Sequence, residues 1–204
     1  QYMITGLFMA LLGGWLAYVL RSQLAWPDDL APHAYNTAVT MHGTVMVFWV
    51  AMPLLVAGFG NLLVPLMVGA DDMAFPRLNM LSYWIFFVST IVLILSFFMP
   101  GGAAGAGWTS YPPLSADEHH SGQFWGVNLW ILAVALEFIA FLLGGINIIT
   151  TAINMRAPGM KMWDMPLFVW EVTVASIVFL LSVGPLVAGA VMLLADRTVG
   201  TGFY

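Results

Sequence analysis

Long apolar stretches separated by short polar segments dominate this chain. Crossing the hydrocarbon core of a bilayer takes about 20 consecutive apolar residues. Runs of this length with few charges are typical of membrane-spanning helices. Five stretches come near or exceed it, at roughly 3–20, 36–69, 81–99, 125–153 and 166–195. The pattern therefore predicts an all-α integral membrane protein, with five transmembrane helices packed as one bundle over residues 1–204.

The second stretch is longer than a bilayer requires. Its 34 residues would extend about 51 Å as a helix, at about 1.5 Å each, whereas the hydrocarbon core is about 30 Å thick. The helix must therefore tilt, bend or project. Pro53 and Pro65 each lack an amide hydrogen and mark the predicted places of irregularity.

Composition supports the membrane assignment. The chain is 61% hydrophobic and only 7% charged, whereas a soluble domain is about 25% charged. It contains no basic stripe of the kind that binds nucleic acid. The absence of cysteine excludes disulfides and thiolate-bound metals. Because the chain opens at Gln1 rather than methionine, we expect it to be a fragment of a longer protein.

Basic residues near the predicted helix ends set the expected orientation. Arg77, Arg156 and Lys161 lie in segments on one side of the membrane, and Arg21 and Arg197 lie on the other. The positive-inside rule favours the segments 69–80 and 154–165 as cytoplasmic. His42 then lies about two helical turns below the outer surface.

His42 is the first ionisable candidate, because such groups inside a membrane are functional candidates by default. One interpretation is a hydrogen bond to a neighbouring helix. The other is coordination of haem iron, for which imidazole is the usual ligand. Gly43 beside it, and Gly58 and Gly60 further along the helix, would leave room for a bulky group. A six-coordinate haem would take its second ligand from outside this chain, because His33, His119 and His120 lie in outer loops.

Carboxylates form the other candidates. Glu137 in the fourth helix is either a protonated acid hydrogen-bonded within the bundle or a proton relay, whereas Glu171 is expected to be an interfacial group. Asp71 and Asp72 follow the second helix, and Asn61, Asn79 and Ser82 lie close by in sequence. This cluster is either simply solvated or holds ordered water at the mouth of a proton pathway.

Six blocks of residues carry a resemblance to a known family. They are MHGTVMVFW, GFGNLLVPLMVGADDMAFPRLNMLSYW, GAGWTSYPPLS, GGINIITTAINMRAPGM, PLFVW and MLLADRTVGTGFY. In this order they resemble subunit I of the haem–copper terminal oxidases, and they cover the first five of that family's twelve helices.

The resemblance implies roles at a haem. His42 matches an axial ligand of the low-spin haem, here expected to be haem a. Arg21 matches an arginine beside the haem formyl group, and Tyr35 and Trp108 match residues that bond a propionate. Without the resemblance, these three side chains would be interpreted as a snorkelling arginine and interfacial aromatics.

The resemblance also implies a proton-uptake channel. Asp72, rather than Asp71, matches the aspartate at its mouth, with Asn61 and Asn79 at the family's spacing. The positions that match the channel further along are Tyr2, Ser82 and Asn147. The chain departs from the family at Asp71, where proline is usual, and at Met80, where asparagine is common. Serines of the fourth helix are replaced around Ala140 and Phe141, and we hypothesise that Glu137 takes over part of their relay.

The activity that the resemblance implies is reduction of dioxygen to water coupled to proton pumping. The high-spin haem and copper would be held by helices outside this chain, which is not expected to be active alone. The implied partners are the remaining helices of subunit I, oxidase subunits II and III, cytochrome c and the lipid membrane, with no nucleic acid. Departures from the mitochondrial pattern favour the inner (plasma) membrane of a bacterium.

Three alternatives remain open from the residues. In a quinol oxidase, a histidine and a glutamine are expected at the positions of Ala34 and Thr37, which counts against quinol. A nitric oxide reductase generally lacks the channel mouth. A transporter or channel component using Asp72 and Glu137 without haem is the reading from a different class. The cluster at 117–120 is expected to be a solvated rim rather than a docking or metal site.

Overall fold

The computed structural model describes residues 1–27, 30–117 and 123–204. Within these ranges the regular structure is entirely helical. The five long helices are α1 (Tyr2–Ala25), α2 (Pro32–Val68), α3 (Pro76–Ser96), α4 (Phe124–Asn154) and α5 (Leu167–Val199). Each is long and apolar enough to cross a membrane, which confirms the all-α, five-helix prediction. A single 3₁₀ turn, Met162–Asp164, lies between α4 and α5.

Helix α2 is irregular in its middle third. Between Val45 and Gly58 its turns widen to π-helix, so the amide of Met52 donates to the carbonyl of Val47 five residues earlier. Pro53 begins the second widened segment. Wider turns accommodate a residue that has no amide hydrogen and whose ring crowds the preceding turn. Pro65, by contrast, lies within regular α-helix that continues to Val68.

Three short connections and the longer segment 97–123 join consecutive helices and give the bundle two distinct ends. We call one the Asp72 end; it contains Gln1 and the segments 69–75 and 155–166. The amide of Ala157 donates to the carbonyl of Val68 at 2.7 Å, which connects the second segment to the end of α2. The other, the Trp108 end, contains the segments 97–117 and 200–204. The most extensive helix pairings are α3 with α4 and α1 with α2, followed by α4 with α5.

Arg197 connects several segments of the Trp108 end through buried hydrogen bonds. It was expected in an outer loop, but it lies in the last turn of α5 and is buried. Its guanidinium donates to Asn128 Oδ1 at 2.6 Å and to the carbonyl of Ser115 at 2.6 Å. It also donates to the carbonyls of Gln123 and Phe124. A buried charge needs such partners, and here they tie α5 to the start of α4 and to the preceding loop.

The outer surface of the bundle is apolar. Leu11, Leu66 and Leu181 are among many large hydrophobic side chains that are more than two-thirds exposed, at 74%, 68% and 75%. A large apolar surface of this kind marks contact with lipid or with other protein. The surface therefore agrees with a bundle in a membrane.

Candidate functional site

His42 lies on α2 against α1, with its ring oriented by the backbone. Its Nδ1 is 2.9 Å from the carbonyl oxygen of Gly13, so Nδ1 carries the hydrogen and donates it. Nε2 is then left with its lone pair, and it has no hydrogen-bond partner within residues 1–27, 30–117 and 123–204. Metal-bound histidines are typically oriented in this way, with the second nitrogen donating to a carbonyl or carboxylate.

Two glycines allow the close approaches around His42. A Cβ at Gly13 would lie 2.5 Å from Met46 Sδ, so α1 and α2 meet here without a side chain between them. A Cβ at Gly43 would lie 3.1 Å from Cδ1 of Trp108, which packs over the residue next to His42. Trp108 also contacts Phe48 at a ring-centroid distance of 5.9 Å and borders an aromatic-lined cavity of about 490 Å³.

The other predicted haem contacts are not brought to His42 by direct bonds. Arg21 is exposed on α1 and Tyr35 is half-buried on α2. In the described parts of the chain, neither side chain makes a hydrogen bond or ring contact to His42 or Trp108. Those parts also hold no group of three or more His, Cys, Asp or Glu side chains that could bind a metal. His119 and His120 lie outside the described residues.

Asp72 lies exposed at the mouth predicted for proton uptake, and the segment after it is hydrogen-bonded to α4. Its Oδ1 accepts a hydrogen bond from the amide of Met73 at 2.7 Å. Asn147, fully buried on α4, accepts from the amide of Phe75 at 2.8 Å and donates to the carbonyl of Phe75 at 3.2 Å. Thr151, one turn further, accepts from the amide of Ala74. Asn147 therefore positions the loop.

The two asparagines line a common opening. Asn61 on α2 and Asn79 on α3 both border a cavity of about 370 Å³, here called the mouth cavity, together with Tyr2. Asn61 donates to the carbonyl of Ala57 at 2.7 Å. The side-chain oxygens of Asn61 and Asn79 are buried and have no partner in the described portion of the chain. Both oxygens are therefore free to accept hydrogen bonds from water.

A cluster of hydroxyls lies behind that opening. The Tyr2 hydroxyl is 2.6 Å from Ser82 Oγ, which joins two positions that the sequence assigned to one channel. Beside them, Thr5 Oγ1 is 3.1 Å from the Tyr83 hydroxyl. The pair formed by Thr5 and Tyr83 was not predicted. Ser82 begins a seven-residue spacing along α3 with Ser89 and Ser96, and this spacing is the sequence signal for a hydroxyl stripe.

A second cavity, here called the inner cavity, extends deeper from the same point. Its volume is about 170 Å³, and Tyr2 and Asn61 border it as they border the mouth cavity. On its far side α4 contributes Ala140, Phe141 and two glycines, and α5 contributes Ser176. Ser176, which is almost fully buried, was not singled out from the sequence.

Glu137 is fully buried on α4 and faces α3. Ser89 Oγ donates to the carbonyl of Phe86 at 2.6 Å and, over a longer distance of 3.4 Å, to Oε2 of Glu137. Oε1 of Glu137 has no partner among the described residues. Glu137 does not border the inner cavity, although Ala140 and Phe141, one turn away, do. Glu171 is exposed on α5.

Comparison with known proteins places the whole chain in one group. The model of the family described as Cytochrome C and Quinol oxidase polypeptide I matches residues 1–204. The alternative cytochrome c oxidase subunit 1 of Bradyrhizobium diazoefficiens is 42% identical over 207 residues, which cover 100% of this chain and 35% of the relative. The cytochrome c oxidase subunit 1 of Bacillus subtilis is 45% identical over 205 residues, covering 100% of this chain and 32% of the relative.

A yeast relative is equally similar. The cytochrome c oxidase subunit 1 of Candida albicans is 43% identical over 207 residues, covering 100% of this chain and 38% of the relative. The chain thus spans about a third of the length of the curated relatives that it matches.

Proposed function

Because the chain belongs to the Cytochrome C and Quinol oxidase polypeptide I family, we propose that it is a five-helix part of subunit I of a proton-pumping cytochrome c oxidase. Its relatives from two bacteria and from Candida albicans are named cytochrome c oxidase subunit 1. In this proposal the segment supplies one ligand of a low-spin haem at the Trp108 end of the bundle. It also supplies the proton-uptake mouth at the Asp72 end.

The bond between His42 and Gly13 carries the haem part of the proposal. It occupies Nδ1, so in the neutral imidazole Nε2 carries the lone pair that would bind iron. A low-spin haem bound there would supply one-electron transfer. The described residues fit half of such a site, because the ring of His42 is oriented by its backbone partner and supplies one imidazole. The second ligand would come from another helix of the complete subunit.

Three further side chains are proposed at the haem edge. Trp108 is the best supported, because it packs against the glycine next to His42. Arg21 and Tyr35 lie towards the same end of α1 and α2, where a cation and a phenol could bond a formyl group and a propionate. Their exposed or half-buried surfaces leave them accessible to such a group.

The proton part of the proposal rests on the two cavities that share Tyr2 and Asn61. Protons would enter at Asp72, pass the free amide oxygens of Asn61 and Asn79, and reach the hydroxyl pair of Tyr2 and Ser82. Asn147 would act on this route by holding the loop that follows Asp72. The groups are polar and mostly uncharged, so they order water without trapping a proton.

Glu137 is proposed as a proton-holding group beyond this route. Ser89 donates to the carbonyl of Phe86 at 2.6 Å and to Glu137 Oε2 only at 3.4 Å, so the carboxyl has little hydrogen-bond support for a negative charge. A fully buried carboxyl without a cationic partner in the described ranges is costly when ionised. Such a group can take up a proton only from a donor that reaches it, and can release the proton only to an acceptor that reaches it.

The remaining components are proposed from the family. Haem a would be the low-spin cofactor, with a high-spin haem and copper held by the rest of subunit I. Subunits II and III and cytochrome c would be the partners. The five spans support a multi-pass membrane location, and we propose the bacterial inner (plasma) membrane.

Replacing Asp72 with Asn in the complete oxidase tests the pathway, with Asp71→Asn as the matched control. In reconstituted vesicles, Asp72→Asn should reduce turnover about tenfold or more and abolish proton release. A rate factor of ten corresponds to about 1.4 kcal/mol, and losing the charged group at the mouth should raise the barrier by at least that amount. Asp71→Asn should leave both quantities near the original values.

Glu137→Gln belongs in the same assay and should reduce proton release more than electron transfer. Unchanged turnover and pumping in Asp72→Asn would contradict the pathway. The same result in Glu137→Gln would contradict only the role of that carboxyl.

A further inference from the structure

We propose that Ser176 of α5 holds the water chain of the inner cavity, so that proton transfer beyond Tyr2 depends on a hydroxyl from the fifth helix. This inference rests on the proposed proton pathway and extends it to a residue that neither the sequence nor the family match singled out. Ser176 acts as a positioning residue, because it would bind water and not the reacting oxygen.

The inner cavity has polar groups on two sides and an apolar wall between them. Asn61 and Tyr2 supply an amide oxygen and a phenol on the side of the mouth cavity. Ala140, Gly144 and other residues of α4 line the middle without a hydroxyl. Ser176 supplies a hydroxyl from α5, and its hydrogen is donated to the carbonyl of Val172 at 2.7 Å.

That hydrogen bond decides how Ser176 can act. Because its hydrogen is used within the helix, the hydroxyl oxygen presents its lone pairs as acceptors. It can therefore receive a hydrogen bond from a water molecule in the cavity. The excess proton then passes between water molecules, and no bond of Ser176 itself forms or breaks.

The cavity is large enough for such a chain. At about 30 Å³ per molecule in liquid water, a volume of about 170 Å³ accommodates roughly five waters. Buried waters typically make about three hydrogen bonds each. Without Ser176, the waters beyond Asn61 and Tyr2 would face only aliphatic and aromatic groups. The hydroxyl therefore supplies the anchor that α4 lacks.

Close packing explains why α5 can supply this anchor. A Cβ on Gly145 would lie 3.5 Å from Cβ of Ser176, an ordinary van der Waals distance, so α5 lies close against α4 at this level. Thr173, one turn nearer the Asp72 end on α5, is 2% exposed, and its hydroxyl has no partner in the part of the chain that the structure describes. It is a second hydroxyl on the same stretch of helix.

The test compares Ser176→Ala with Ser182→Ala in the complete oxidase reconstituted in vesicles. Ser182 is the matched control, because it also donates to a carbonyl of its own helix, that of Phe179 at 2.9 Å, but does not border the inner cavity. Ser176→Ala should slow proton uptake roughly three- to tenfold, the factor expected for one lost neutral hydrogen bond. Ser182→Ala should show no change.

Moving the hydroxyl separates a role in holding water from a merely structural one. Adding Ala140→Ser to Ser176→Ala restores a hydroxyl to the same cavity from α4. The double variant should recover most of the uptake rate. If Ser176→Ala behaves like Ser182→Ala, or if Ala140→Ser does not restore the rate, the inference is overturned.

A second variant keeps the test decisive if Ser176→Ala assembles poorly. Gly144→Val leaves Ser176 untouched and places carbon atoms in the cavity, where a Cβ meets nothing nearer than 3.9 Å. It should slow uptake at least as much as Ser176→Ala, and an unchanged rate would overturn the inference. Asp72→Asn tests the pathway itself, so a slow Asp72→Asn with normal Ser176→Ala and Gly144→Val rejects only the role of the cavity.

Discussion

At the scale of single residues, the orientation of His42 depends on a glycine in the neighbouring helix. The carbonyl of Gly13 fixes which ring nitrogen carries the hydrogen. The missing side chain of Gly13 lets Met46 and Val45 approach α1 at that level. One residue therefore contributes both the hydrogen-bond acceptor and the space that brings the acceptor within reach.

Substituting Gly13 tests this dependence, and its neighbour provides the control. In Gly13→Ala the new Cβ would lie 2.5 Å from Met46 Sδ, so the methionine must move and the contact with α2 loosens. We expect a loss of about 1–3 kcal/mol in the free energy of unfolding, which is typical of overpacking. The absorption band of the low-spin haem should shift as well.

Gly14→Ala should be harmless, because nothing lies within 4 Å of its Cβ. Alanine is favoured over glycine in a helix by up to about 1 kcal/mol. Thermal unfolding and optical spectra of the purified oxidase would compare the two variants. Equal effects at both positions would show that the contact at Gly13 does not orient His42.

The sequence revealed charged and strongly polar residues better than hydroxyls. His42, Glu137 and Asp72 stand out because ionisable groups are rare in or beside apolar runs. Thr5, Tyr83 and Ser176 could not be found in this way, because serine, threonine and tyrosine are ordinary residues in membrane helices. A serine or threonine often satisfies its hydroxyl on its own helix, as Ser176 does. Only the packing of the helices shows that Thr5 pairs with Tyr83 and that Ser176 borders the inner cavity.

At the scale of elements, α2 combines the two halves of the proposed function. His42 precedes the widened turns, and Asn61 follows them. Residues 42 and 61 are separated by about 28 Å at the α-helical rise of about 1.5 Å per residue. The sequence identified Pro53 as a place of irregularity but could not show its form, because proline permits either a bend or widened turns depending on the neighbouring helices.

The connection between α2 and α3 depends on α4 for its shape. Replacing Asn147 with Ala removes the acceptor of the Phe75 amide. The net loss of such a hydrogen bond costs about 1 kcal/mol, so segment 71–75 should open more often. Hydrogen exchange of its amides should then be about fivefold faster or more.

Asn154→Ala is the control for this measurement, because Asn154 is an exposed residue at the end of the same helix. Its exchange pattern over 71–75 should match the unmodified protein. Identical rates in the two variants would show that Asn147 does not hold the loop and would leave its side chain available for a direct channel role.

At the scale of the whole molecule, the two proposed sites lie at opposite ends of the bundle. His42 and Trp108 lie towards one end, and Asp72, Asn61 and Asn79 lie towards the other. Moving one charge across a membrane potential of 100 mV involves about 2.3 kcal/mol. Electrons delivered at one end and protons taken up at the other would therefore both contribute to charge separation.

The overall architecture was accessible from the sequence because membrane helices must satisfy their backbone internally and be long enough to span the bilayer. The burial of Arg197 could not be predicted in this way. A basic residue near the end of an apolar run is normally expected at the surface, but four oxygens from α4 and its preceding segment surround this one. Those partners are distant in sequence, and the fold alone assembles them.

Coordination of haem iron by His42 is tested by a reduced-minus-oxidised spectrum of the complete oxidase that carries His42→Ala. His33→Ala is the control, because His33 is an exposed histidine near the start of the same helix. We expect a haem a spectrum for the unmodified and His33→Ala proteins and loss of the low-spin band in His42→Ala. An unchanged low-spin band in His42→Ala, or an unmodified protein without haem, would contradict it.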